Sequence, residues 1–135
     1  AERFAAEGAR VLLTDLDGTG ATAAAAGIGA NAAAFAHDVT SEDQWIAAVA
    51  EAGRVFGGLH ILVNNAGIGT PGSVEQTSLE DWRRVHEIDL DGVFLGCKHA
   101  LPLIRHTTRS EGSRGSILNI SSIAGVIASG RMAAY

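Results

Sequence analysis

Short aliphatic runs alternate along this chain with longer stretches whose apolar positions recur at helical spacing. Arg10 to Thr14 (RVLLT) lacks the polar alternation of a half-wet strand, so it predicts a strand buried on both faces, with Asp15 at its C-terminal end. The same reading places strands at Ala32 to Ala36, Leu59 to Val63 and Ser116 to Ile120. Ser41 is an N-cap, Glu42 and Asp43 fill an acidic first turn, and Trp45, Ile46, Val49, Ala52, Val55 and Phe56 form an apolar stripe ending at Gly57-Gly58. Ser78, with Asp81 three residues on, starts a long helix to about Arg105, followed by a polar insert from Thr107 to Arg114. Gly18 to Ala30 is a weak Ala- and Gly-rich helix and loop, and Ala1 to Gly8 reads as the tail of a helix closed by a glycine.

The resulting order is partial helix, strand, helix, strand, helix, strand, helix, strand. Buried strands alternating with amphipathic helices require right-handed crossovers, hence an α/β parallel sheet covered on both faces. In such a sheet, ligands collect at the C-terminal strand ends.

Length and composition fit one domain: 135 residues, 47% hydrophobic, mean hydropathy +0.17. The net charge of -5 and ten scattered Lys and Arg argue against a nucleic-acid partner. No apolar run approaches the roughly 18 residues that span a bilayer, so no membrane partner and a cytoplasmic location are expected. Cys97 stands alone and is read as packing. His37, His60, His86, His99 and His106 show no zinc spacing, so no metal site is expected.

Two glycine patterns imitate phosphate loops. Gly18-Thr19-Gly20-Ala21-Thr22-Ala23 follows a strand and has Asp38 twenty residues after its first glycine. Asp15 and Asp17, however, would set carboxylates where a pyrophosphate needs backbone N–H groups. Thr22 to Gly29 lacks an immediately preceding strand and the second-position glycine, and it too is set aside.

Chemistry-bearing residues cluster elsewhere. Asp15 is either a turn-capping carboxylate or an acceptor for the two hydroxyls of a ribose. Asn64-Asn65-Ala66-Gly67 follows a strand; its small residues let a flat ligand approach the backbone, and its amides can bridge neighbouring strands. Ser122 lies at a strand end and Tyr135 thirteen residues further on.

In order and spacing, Asn64-Asn65-Ala66-Gly67, Ser121-Ser122-Ile123-Ala124-Gly125 and Tyr135, supported by Asp38-Val39 and Gly92-Val93-Phe94, resemble the classical short-chain dehydrogenase/reductase family across essentially the whole chain. The resemblance implies a doubly wound Rossmann-like sheet and NAD as cofactor. Residues 1–135 would be a partial dinucleotide-binding domain, lacking the central first strand with its glycine loop and the C-terminal part. It implies that Asp15 holds the adenosine ribose, Asp38 and Val39 contact adenine, and Asn65, Ala66 and Gly67 line the cofactor groove. Ser122 would orient the oxygen of an alcohol or ketone substrate, and Tyr135 would be the general acid or base.

A free tyrosine has a pKa of about 10, so the chemistry needs a nearby cation; the family places a lysine four residues later, beyond this chain. Asp89 stands where the family usually has an asparagine in the proton relay, and an ionised carboxylate accepts hydrogen bonds but donates none. The resemblance further implies a homo-oligomer, usually a tetramer, using the helix from Ser78 to Arg105. Without a central strand, the 135 residues alone are expected to be inactive and prone to unfold or aggregate. Rival readings are a noncatalytic cofactor-binding or oligomer-forming relative, and an epimerase or dehydratase that retains its NAD.

Overall fold

Local capping signals set most of the element boundaries. The computed structural model of the chain describes residues 1–127 and 131–135. It contains helices α1 (Glu2–Ala6), α2 (Gly18–Ile28), α3 (Glu42–Phe56), α4 (Leu79–His86) and α5 (Gly92–Glu111), and strands β1 (Val11–Asp15), β2 (Ala32–Ala36), β3 (Ile61–Asn64) and β4 (Ser116–Asn119). Ser41 Oγ accepts from Gln44 N–H at 3.4 Å, and Gly57 ends α3 in the left-handed region at φ 80°. Ser78 Oγ accepts from Asp81 N–H at 2.9 Å and donates to the Asp81 carboxylate at 2.6 Å, which pins the start of α4.

β1 pairs in parallel with β2, from Val11 against Ala32 to Asp15 against Ala36. β3 pairs in parallel with β4, from Ile61 against Ser116 to Asn64 against Asn119. Among the described residues these are two separate two-stranded sheets, so β1 and β3 each keep an edge without a partner. The α/β class, the parallel sense and the incompleteness of the sheet agree with the sequence expectation.

Burial of the strands on both faces does not hold. Ile61 and Val63 of β3 are 49% and 37% exposed, and Leu118 of β4 is 39% exposed. The physical reason is the division of the sheet: among the described residues no strand pairs with the free edges of β1 and β3, and Val63 faces a cavity.

The core lies where α3 packs on α5. Trp45, Ala48 and Ala52 are buried along one face of α3, and Ala100 and Ile104 along α5. Full burial of an Ile104-sized side chain contributes about 1.5–3 kcal/mol.

The stretch expected as a polar insert corrects a second expectation, since α5 continues to Glu111 and stops at Gly112, φ 65°. Thr107 is 3% exposed, and its Oγ1 accepts from Leu59 N–H at 3.1 Å. A polar side chain that satisfies an otherwise unpaired backbone donor belongs inside, whatever its polarity suggests.

Candidate active site

Thr14 and Asp15 at the end of β1, His37, Asp38 and Val39 after β2, and Asn64 to Ile68 at the end of β3 wall one cavity of about 390 Å³, closed below by Ile88, Gly92 and Val93. This places it at the C-terminal strand ends. The six residues read as cofactor contacts (Asp15, Asp38, Val39, Asn65, Ala66 and Gly67) all line it.

Each carboxylate there is held by its own turn. Asp15 Oδ1 accepts from Asp17 N–H at 2.8 Å, so the turn-capping role exists, and the carboxylate still lines the cavity. Asp38 Oδ1 accepts from the N–H and hydroxyl of Thr40 at 2.9 and 2.8 Å. These hydrogen bonds, the backbone one first, favour the ionised form and lower the Asp38 pKa below the ordinary aspartate value. Asp17 caps α2 by accepting from Gly20 N–H at 3.0 Å, occupying with a carboxylate the place that a phosphate would need in the first glycine pattern.

Asn64 is buried and spans the sheet: its Nδ2 donates to Asn119 Oδ1 at 2.8 Å, tying the C-terminal ends of β3 and β4 together. This strand bridge leaves the neighbouring Asn65, Ala66 and Gly67 exposed along the cavity. Asp89 lies in a π-helical turn, Glu87–Asp91, between α4 and α5. Its Oδ1 accepts from Ile68 N–H at 2.9 Å, fastening the loop after Gly67 to the helix.

Ser122 caps the short 3₁₀ turn Ile123–Gly125, its hydroxyl accepting from Ala124 N–H at 3.2 Å. Tyr135 is 45% exposed, and its ring stands 3.6 Å from where a Cβ on Gly69 would lie. Neither lines the cavity that gathers the residues read as cofactor contacts.

Residues that sequence reasoning did not assign to the site include His37 and Trp45, both in the cavity wall. Trp45 Nε1 donates to Val39 O at 2.9 Å, and the two rings meet edge to face at 4.3 Å. Both His37 ring nitrogens are buried without a hydrogen-bond partner among the described residues, and desolvation lowers the His37 pKa, opposed by the nearby Asp38 charge. Adjacency to Asp38 at a strand end was the available signal. Among the described residues no group of three potential ligands gathers around a metal position, and no helix is long and apolar enough to cross a membrane.

A family model described as enoyl-(acyl carrier protein) reductase matches residues 1–135. The chain is 46% identical to trans-4-hydroxycyclohexanecarboxylate dehydrogenase of Sinomonas cyclohexanicum, the match covering 100% of this chain and 53% of that one. It is also 46% identical to 3-alpha-(or 20-beta)-hydroxysteroid dehydrogenase of Mycobacterium bovis, over 90% of this chain and 45% of the relative. A crystal structure of 3-ketoacyl-(acyl-carrier-protein) reductase from Brucella melitensis complexed with NADH superposes with a TM-score of 0.87 at 38% identity, covering 92% of this chain and 51% of that chain. The chain thus spans about half the length of the curated relatives that it matches.

Proposed function

Because the chain belongs to the short-chain dehydrogenase/reductase family, we propose that the protein carrying it is an NAD(H)-dependent oxidoreductase of secondary alcohols and ketones. The observation that supports this most is the convergence of Asp15, Asp38, Val39, Asn65, Ala66 and Gly67 on one cavity at the strand ends.

The cavity suits a dinucleotide. Its volume is in the range of small-molecule sites, and Ala66 and Gly67 let a planar group approach the backbone. Among the described residues two carboxylates and no Lys or Arg line it, which favours ribose hydroxyls and opposes a 2′-phosphate. At about 4 Å, one such repulsion amounts to roughly 1–4 kcal/mol per unit charge for effective dielectrics between 80 and 20. That is the basis for NAD over NADP. When bound, the cofactor supplies the hydride donor or acceptor.

Ser122 holds the substrate oxygen. Tyr135 gives its phenolic proton to a ketone oxygen as hydride reaches the carbonyl carbon, or takes the hydroxyl proton of an alcohol as hydride leaves the carbinol carbon. Asp89 contributes by fixing the loop that carries Gly67, through Ile68 N–H. Cyclic secondary alcohols are the substrate class, in keeping with the hydroxycyclohexanecarboxylate and hydroxysteroid relatives. An exposed apolar stripe, Leu79, Trp82, Leu90 and Phe94, supports a homo-oligomer, a tetramer on the family pattern, and the location we propose is the cytoplasm.

The test is fluorescence titration with NADH and NADPH, together with turnover of a cyclic secondary alcohol. NADH should bind more tightly, Asp15→Ala should narrow that preference about ten- to a thousandfold, and Tyr135→Phe should lower kcat by about 10²–10⁴ with NADH binding retained. NADPH preference, or a fully active Tyr135→Phe enzyme, refutes the reading.

A further inference from the structure

The segment that carries Tyr135 is built onto the loop after β3. Gly72 N–H donates to Arg131 O at 2.7 Å, Ala133 N–H donates to Gly72 O at 3.1 Å, and Gly72 and Met132 form a parallel bridge. Tyr135 N–H then turns back to Met132 O at 3.3 Å, and Ala134 is buried. Two backbone hydrogen bonds thereby fix the register of this segment against the loop.

Gly69 lies three residues before that bridge. A Cβ added there would stand 2.7 Å from Met132 Cε and 3.6 Å from both Cγ and Cδ2 of the Tyr135 ring. Among the described residues, glycines with positive φ are Gly8, Gly29, Gly57 and Gly112, so Gly69 is not required by its backbone angle. The requirement is space. Tyr135 is 45% exposed, and its ring stands at ordinary van der Waals distance from a Cβ placed at Gly69, so atoms branching beyond that Cβ would meet it.

We infer that Gly69 is a positioning residue for Tyr135, its missing side chain forming a seat for the phenol ring whose register the Gly72 bridge sets. The inference rests on the reading of Tyr135 as general acid or base. An alanine methyl displaces only the far end of a flexible thioether, so it is tolerated. A branched side chain must push the ring, and a displacement of about 1 Å in a reacting group lowers rate about 10²-fold.

The experiment compares kcat and the KM for NADH in the complete enzyme. Gly69→Ala should keep kcat within about threefold, and Gly69→Val should lower it by about 10- to 100-fold with the KM for NADH unchanged. Adding Met132→Ala to Gly69→Val should restore most of the loss, because the seat is then emptied from the other side. A Gly69→Val enzyme with wild-type kcat overturns the inference while an inactive Tyr135→Phe leaves the function standing; an active Tyr135→Phe sinks the catalytic reading instead. If Gly69→Val loses NADH binding altogether, the milder pair decides: Gly69→Ala and Met132→Leu should be near neutral singly and lower kcat at least about tenfold together. Simple additivity there overturns the inference.

Discussion

Gly27 and Gly96 both lie within helices, and the same change to alanine is expected to move stability in opposite directions at the two. Replacing a helical glycine by alanine gains about 0.8–1 kcal/mol from backbone entropy and propensity. At Gly27 nothing lies within 4 Å of the added methyl, so the gain is unopposed apart from its place in the last turn of α2, and about 0.5–1 kcal/mol should remain. At Gly96 the methyl would stand 2.8 Å from Trp45 Cη2 and 3.0 Å from Cζ2, and against Asn64 Oδ1. Neither neighbour yields readily: the indole donates to Val39 O at 2.9 Å, and the Asn64 amide donates to Asn119 Oδ1 at 2.8 Å. Overpacking costs about 1–3 kcal/mol, and losing either hydrogen bond adds about 0.5–1.5 kcal/mol. Set against the propensity gain, Gly96→Ala should destabilise by about 1–3 kcal/mol. Urea unfolding of the complete enzyme measures this as a lowered midpoint at unchanged slope, with a raised midpoint for Gly27→Ala. Because Trp45 and Asn64 line the cavity, Gly96→Ala should also weaken NADH binding. A Gly96→Ala protein as stable as wild type, or a destabilised Gly27→Ala, would refute the packing argument.

Thr107→Val keeps the shape of a buried side chain but strands Leu59 N–H, so it should cost about 1–3 kcal/mol in urea unfolding. Thr107→Ser keeps the acceptor and should cost less; the reverse order would show that the methyl, not the hydrogen bond, matters. At His37 the folded-state pKa is lowered, so both states are neutral above the unfolded value of 6.5 and no stability is lost there. Below pH 6.5 the unfolded chain takes up a proton that the folded one resists, and stability falls by at most about 1.4 kcal/mol per pH unit. The charge on Asp38, whose own pKa is lowered, stays constant in that window and moderates the fall. His37→Phe should flatten the difference in urea midpoint between pH 7.5 and 5.5, taken as about two units around this transition, whereas parallel curves would exclude His37 as its source.

What could be read from the sequence divides by the range of the interaction. Ser41, Gly57 and Ser78 act on backbone groups within a few residues, so the start of α3, its end and the start of α4 lie where the pattern puts them. The Ala32–Ala36 strand also lies where the sequence places it, directly before His37-Asp38-Val39. The exposure of Ile61 and Val63 was not, because burial depends on what stands beside β3 and not on how aliphatic it is. Thr107 misled for a related reason: its partner, Leu59, lies 48 residues away.

The sequence by itself determined the parallel α/β class, from the order and pattern of its elements, and its motifs, in order and spacing, carry the resemblance that points to the family and to the residues proposed to bind a dinucleotide. Only the tertiary structure decided that Asp15, Asp38, Val39 and Asn65–Gly67 share one cavity, that the buried His37 nitrogens have no hydrogen-bond partner among the described residues, and that the Tyr135 ring stands 3.6 Å from where a Cβ on Gly69 would lie. The segments that share the cavity lie 23 to 52 residues apart along the chain, and Gly69 lies 66 residues before Tyr135. At such separations no local periodicity records the contact, and close packing together with long-range hydrogen bonds selects it.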